Sequence, residues 1–184
     1  MPYVGNYSGS APALPGRVFR STLYYPPMLY SVDATASPTQ SAEYCVRFDV
    51  GQPTTFDRIG LEVTTGVATA VVRLGIRYDN GSCYPSTLLL DAGTIDAASN
   101  GFKEITISQL LNPGRWWLTA TMQVTTGVAW RARNADPFIG SLATASSNHC
   151  TFAQVSITGA LPASFSSTPT TANIAGPKIL LRAA

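Results

Sequence analysis

The only histidine of the chain, His149, stands next to Cys150, and the two are the nearest approach in the sequence to a nucleophile beside its base. A Cys–His dyad requires the two side chains to face one another. Adjacent residues on a strand point to opposite faces, so a loop histidine beside a half-buried cysteine is the expectation. The other cysteines, Cys45 and Cys83, have no C-x₂₋₄-C spacing that would nucleate a Cys₃His zinc site. Three thiols are too few for a disulfide framework, and an odd count leaves at least one free. Among the carboxylates, Asp49 with Asp57 and Asp91 with Asp96 flank turns. Glycoside hydrolysis needs two carboxyl groups held across a bond, and sequence separation does not fix that distance; these four read as solvated strand ends. Asp79-Asn80-Gly81 begins like a calcium loop, but the downstream oxygen ligands do not follow. Walker, GxGxxG and GxSxG patterns are absent. The sequence therefore predicts no catalytic residue, no metal, no cofactor and no enzymatic activity.

The aromatic residues offer a different chemistry. Trp116 and Trp117 are neighbours, so on a strand only one can face the core. Parity with Leu118, Ala120 and Met122 sends Trp116 inward and Trp117 outward, with Thr119, Thr121 and Gln123. An outward tryptophan on a threonine-rich face has three roles open to it: lying under an arm or loop, sitting in a subunit interface, or stacking on a sugar ring. Trp130 and Tyr84 fall in expected loops and are the other candidate ligand-facing rings. Tyr24, Tyr25, Pro26 and Pro27 form an aromatic–proline patch, read as an edge strand that stops at the prolines.

Strands must position these rings. Tyr44, Val46, Phe48 and Val50 alternate with Cys45, Arg47 and Asp49; Ile59, Leu61 and Val63 with Arg58, Gly60 and Glu62; Val72, Leu74, Ile76 and Tyr78 with Arg73, Gly75 and Arg77. Period two puts one set inward and the other outward. Ile105 with Ile107, and Trp116 through Val124, continue the theme; Phe152 to Ile157 and Ile179 to Arg182 are shorter candidates. Asn80-Gly81 and Asn100-Gly101 predict type I′ hairpin turns. Asn112-Pro113-Gly114 breaks the chain before the tryptophans. One weak helical candidate, Ser108 to Leu111, is too short to count. VTTGVA occurs twice, at 63–68 and 124–129, and reads as two similar corners rather than a duplicated half-domain. Short strands separated by regular turns predict an all-β antiparallel β-sandwich, jelly-roll-like. Residues 17–184 form this domain, and residues 1–16, rich in Gly, Ser, Pro and Ala, are an extended N-terminal arm.

A chain of 184 residues can bury a core without disulfides or metal. Its charged residues amount to 12%, against about 25% in ordinary domains. Low charge favours a subunit whose surface is partly covered by neighbours. The net charge is +2 and the basic residues are scattered, which argues against nucleic acid as a partner. The first residues lack the basic and apolar regions of a signal peptide, and no apolar run spans a bilayer. Synthesis in a cytoplasm without membrane insertion is expected.

The order TFDRIGLEV (55–63), AVVRLGIRY (70–78), Asp79-Asn80-Gly81, PSTLLLDAG (85–93), KEITIS (103–108) and NPGRWWLTA (112–120) resembles a β-sandwich module of tailed-bacteriophage virion proteins, of the minor tail and tail-fibre type, over roughly residues 55–124. In that family the motif is architectural and supplies no catalytic residue to transfer. The resemblance implies a virion structural protein, a tail-tip or fibre subunit or a capsid-decoration protein. Its partners would be further copies of itself, as a trimer, other virion proteins, and a glycan of the host surface. The alternative is a carbohydrate-binding module that uses exposed aromatics. The residues carrying either role would be Trp117, Trp130, Tyr84, Tyr24 and Tyr25.

Overall fold

The computed structural model describes residues 18–27, 33–123, 126–133, 151–154, 156–166, 170–172 and 175–184. The expected arm (1–16), Val124 and the His149-Cys150 pair lie outside them. The described residues form strands and loops with no helix. The long strands are β3 (Glu43–Val50), β4 (Thr54–Thr65), β5 (Val71–Asp79), β6 (Pro85–Asp96), β7 (Gly101–Leu111) and β8 (Gly114–Gln123). The shorter ones are β1 (Tyr24–Tyr25), β2 (Asp33–Ala36), β9 (Ala129–Arg133), β10 (Thr151–Gln154), β11 (Thr170–Ala172), β12 (Gly176–Pro177) and β13 (Leu180–Ala183). Ser108–Leu111, the weak helical candidate, is the end of β7.

All pairings between these strands are antiparallel, and they make two packed sheets, a β-sandwich. One sheet runs β11-β10-β3-β8-β5-β6. The other is built on β4, which pairs with β7 on one edge and with β13 and then β9 on the opposite edge. β1 lies beyond β13, and β2 and β12 flank β9. Between β2 and β9 the chain changes sheet at every step but β5–β6, and it changes again from β9 to β10 and from β11 to β12, the rolled connectivity of a jelly-roll-like sandwich.

The alternation read from the sequence sorts the core as expected. Val46, Phe48, Ile59, Leu61, Val72, Leu74, Ile76, Leu118 and Met122 are fully buried between the sheets. A bulge between Phe56 and Arg58 shifts the register there, so that Phe56 joins Ile59 on the inner face despite the odd spacing. Phe56 then packs edge-on against Phe48 and Phe19. Tyr78 departs from the expectation. It ends β5 and remains half-exposed, stacked at a tilt on Trp116.

The two VTTGVA corners, one between β4 and β5 and the other between β8 and β9, lie side by side. β4 pairs with β9 and β5 with β8, and a Cβ placed on Gly127 would stand 3.6 Å from Val67. The echoed corners thus make the same crossing between the sheets in opposite senses.

The Asn-Gly pairs form turns of another kind than expected. Only Gly81 and Gly101 adopt positive φ (88° and 120°), whereas type I′ needs two such residues. The β5–β6 connection instead spans Asn80 to Tyr84, closed by Asn80 N–H to the Tyr84 carbonyl at 2.9 Å. Asn100 turns its side chain away, accepting Gly66 N–H at 2.7 Å across to the β4–β5 corner.

Both sheets carry cross-strand ion pairs. On the outer face of the β4 sheet, Arg182 is bidentate to Asp57 at 2.8 and 2.6 Å, and Arg131 is bidentate to Glu62 at 3.0 Å on each oxygen. Asp33 takes Arg133 at 2.9 Å and Lys178 at 2.7 Å. Hydrogen bonds from Arg182, Lys178 and Arg131 hold the carboxyls of Asp57, Asp33 and Glu62 below their usual values. Depressed folded-state pKa values mean stability that is present above the unfolded pKa, about 4, and lost as pH falls through the folded value. Each pair is solvent-screened and individually weak. The melting temperature should hold from pH 7 to about 5 and fall below about 4. In the Arg182→Met variant that acid-side fall should be shallower, which thermal melts across a pH series would read.

The outer face of the other sheet is covered by the chain itself. Residues 156–166 run across it as a strap. Ile157 N–H reaches the Ser41 carbonyl at 2.9 Å, Leu88 N–H the Ala163 carbonyl at 2.8 Å, and Phe165 N–H the Ser86 carbonyl at 3.1 Å. Leu161 N–H donates to Asp91 at 3.0 Å and Gln123 donates to the Gly159 carbonyl at 2.6 Å. Leu161 sinks onto Gly75 of β5, where a Cβ would collide with Leu161 Cδ1 and lie 2.7 Å from the Leu90 carbonyl oxygen. Glycine is required there by close approach rather than by backbone conformation. Gly75→Ala should cost about 1–3 kcal/mol, measured by denaturant unfolding; an unchanged midpoint would mean that the strap is not seated on β5.

Candidate functional site

Strand β3 enters the sheet with Glu43, and β5 places Arg77 two strands away, with Thr119 of β8 between them. All three are on the face expected to meet water, and all are fully buried. Arg77 grips Glu43 bidentately, Nε to Oε1 at 2.7 Å and Nη2 to Oε2 at 3.0 Å. Thr119 Oγ1 donates to Oε1 at 2.6 Å and Gln154 Nε2 to Oε2 at 2.5 Å, so each carboxylate oxygen accepts two bonds. The remaining guanidinium donors reach the Ser86 carbonyl at 3.1 Å and the Pro162 carbonyl at 3.0 Å. Below the plane of Arg77 lies the Phe165 ring, 5.4 Å from the guanidinium carbon. A buried pair survives only when its remaining hydrogen-bonding capacity is met, and here the partners come from four separate segments of chain, β8, β10, the start of β6 and the strap.

Next to this cluster sits Trp117. Parity does send it to the face opposite Trp116, but that face is not open. Trp117 is fully buried with Cys45, Phe152 and Phe165, and Cys83 packs alongside. Its indole meets Phe152 edge-on at 5.3 Å and donates Nε1–H to Asp79 at 2.8 Å. Of the three roles open to it, cover by its own chain is the one it has, so the expectation of glycan stacking or interface contact at Trp117 is corrected. Trp130 is likewise corrected: it lies in β9, not in a loop, and is buried in the core edge-on to Tyr44. Tyr25 packs against Phe19 and accepts Arg20 N–H at 2.7 Å. Tyr24 faces outward on the β4 sheet between Phe102 and the Arg182 guanidinium, and donates its hydroxyl to Glu104. That bond to Glu104 raises the phenol pKa.

Tyr84 is where the expectation of an exposed ring meets a concavity. Its loop is fixed by side chains. Asp79 accepts Gly81 N–H at 2.8 Å, and Asn80 accepts Ser82 N–H at 2.8 Å and Tyr84 N–H at 3.2 Å. The Tyr84 ring rests on Phe152, 4.7 Å between centroids, and is still 41% exposed. Beside it opens a hollow of about 530 Å³. One wall is the β5–β6 loop and the start of β6, with Asn80, Ser82, Tyr84, Ser86 and Thr87; the other is the strap, with Ser164, Phe165 and Ser166. The walls are tied together by the Thr87–Ser164 bridge and by the backbone bonds of Leu88 N–H to the Ala163 carbonyl and Phe165 N–H to the Ser86 carbonyl, while Ser166 N–H is held at 2.8 Å by Gln154 of β10. Arg77 binds a backbone carbonyl on each side, Ser86 and Pro162.

The carboxylates singled out from the sequence do not converge on this hollow. Asp49 pairs with Arg47, Asp57 with Arg182 and Asp91 with Arg73, while Asp96 caps Ala98 N–H. Among the described residues no three His, Cys, Asp or Glu side chains are grouped to hold a metal ion. Cys45 and Cys83 are free thiols, and burial pushes the Cys45 thiol well above its usual pKa. No family model, curated protein or solved structure matches the chain.

Sequence reasoning passed over Glu43 and Arg77, the pair that organises the site. Arg77 reads as an ordinary outward strand charge. A signal was present in the outward row of β8: Trp117, Thr119 and Thr121 carry no charge, which is unusual for a face meant for water. The pair is testable by a double-mutant cycle. Arg77→Met leaves a buried carboxylate unpaired and should cost about 3–5 kcal/mol. Glu43→Leu combined with Arg77→Met should cost distinctly less than the two single changes added together, as read by chemical denaturation.

Proposed function

We propose that the chain is a bacteriophage virion structural protein, an outward-facing β-sandwich subunit of a tail tip, fibre or capsid decoration that acts by assembly and not by catalysis. The observation that carries this reading is how the protein spends its charge. Among the described residues every Lys and Arg other than Arg20 and Lys103 lies within 4 Å of a carboxylate, and Asp96 is the one acidic side chain outside an ion pair. Cross-strand pairing makes the sandwich rigid and leaves little free charge to keep copies apart. Val18, Leu23, Phe102 and Leu110 meanwhile stay exposed, and Phe102 and Leu110 share the outer face of β7. Low free charge with exposed apolar side chains favours association. The stretch that resembles the phage module, 55–124, is the β4–β8 framework of the sandwich, which fits an architectural role.

On this reading the subunit is synthesised in the host cytoplasm and ends in the virion, as a trimer bound to other virion proteins. Light scattering behind size exclusion should give three times the 19.5 kDa chain mass. Phe102→Glu with Leu110→Lys, on an exposed strand face, should shift that mass to the monomer with the melting temperature kept. Mass spectrometry of purified particles should recover the chain. A monodisperse monomer at high concentration that does not copurify with particles would overturn the assignment.

A further inference from the structure

We propose that the hollow beside Tyr84 is a binding site for an uncharged saccharide of one or two rings. Its volume, about 530 Å³, lies within the range of small-ligand sites, roughly 300–1,000 Å³. No charged side chain lines it. Arg77, behind Phe165, is neutralised by Glu43, and Asp79 is committed to Trp117 and the loop backbone. An ionic ligand would leave water there without a counter-charge. A purely apolar ligand would strip water from the hydroxyls of Ser82, Thr87 and Ser164 and return nothing; the Ser86 hydroxyl already donates to the Tyr78 carbonyl at 3.1 Å. A neutral sugar fits both demands. Its C–H face lies against the Tyr84 ring, and its hydroxyls exchange hydrogen bonds with serine and threonine hydroxyls, which both donate and accept.

The site is built before any ligand arrives. Asp79 and Asn80 fix the loop that carries Tyr84, Phe152 backs the ring, and Arg77 holds both walls through the Ser86 and Pro162 carbonyls. Pre-ordered walls lower the entropic cost of binding a small ligand. Affinity belongs in the weak range expected of so few contacts, and a multivalent assembly would raise it through simultaneous engagement.

The inference goes beyond the assembly role and stands on different residues. The test is a titration of ¹⁵N-labelled protein, followed by amide shifts, with glucose, galactose, N-acetylglucosamine and their disaccharides, and with glucuronate as the charged comparator. At least one neutral sugar should shift the amides of Ser82, Tyr84, Thr87 and Ser164 saturably, with glucuronate about tenfold weaker or worse. Tyr84→Ala should lower the affinity at least about tenfold. Ser82→Trp, placed on the exposed turn, should block the hollow and abolish binding, and it serves if the Tyr84 variant loses its fold. The inference is overturned if no neutral sugar moves these amides up to about 50 mM, if glucuronate binds equally well, or if the folded variants bind like the parent. A chain that assembles without binding sugar overturns this inference alone, and one that binds sugar as a monomer overturns the assembly reading alone.

Discussion

The bidentate contact between Glu43 and Arg77 is the constraint on which the second layer of this molecule depends. An ordinary sandwich has one buried face per sheet. Here the β3–β8–β5 sheet is covered on both faces, and its outer cover is not a third sheet but an irregular strap. Irregular backbone can lie against a sheet only if its carbonyls and amides find partners. Arg77 supplies a donor for the Pro162 carbonyl, Gln154 and Asp91 accept from two amides, and Gln123 donates to the Gly159 carbonyl. The charge is tolerated because each oxygen of Glu43 is doubly satisfied, and it is useful because a guanidinium presents several donors in one fixed plane.

This arrangement couples packing to the surface. The strap whose Pro162 carbonyl Arg77 satisfies is also the strap that helps bury Trp117, through Phe165, and forms one wall of the hollow beside Tyr84. The opposite wall, at Ser86, hangs from the same guanidinium. A ring and a row of hydroxyls are thereby held at fixed separation by groups that no ligand touches. The remaining charges work on a smaller scale, each tying neighbouring strands on an outer face. A chain with few ionisable groups has spent most of them on its own architecture, and its exposed surface is correspondingly neutral.

The sandwich itself was largely legible. Strict alternation in β3, β4, β5 and β8 names the inner-face residues, because a pleated strand has only two sides and a core accepts only one of them. Three readings failed for local reasons. Phe56 escaped because a bulge breaks the period at Arg58. Tyr78 was placed inward although the strand leaves the core before reaching it. The Asn-Gly pairs suggested tight hairpins, but the amides of Ser82 and Tyr84 bind the Asn80 side chain instead and stretch the turn to five residues. Of the rings marked as candidates for surface contact, Tyr84 is exposed, Tyr24 and Tyr25 are partly covered, and Trp117 and Trp130 are not accessible at all.

The case of Trp117 separates what the two levels of structure decide. By itself the sequence determined the strongly alternating strands, β3, β5, β8 and the Ile59–Val63 part of β4, the sorting of each into two faces, and the opposition of Trp116 to Trp117, since these follow from the two-residue period of an extended chain; β6 and β9, which lack that clear period, came only from the structure. Only the tertiary structure decided which of those faces meets water. Burial of an outer face depends on a segment about forty residues further along the chain, on a glycine at position 75 that lets Leu161 approach, and on an ion pair between strands far apart in sequence. None of these has a period, so none leaves a pattern along the chain. The hollow beside Tyr84 is of the same kind: its walls come from residues 80–87 and 164–166, which have no relation until the fold brings them together.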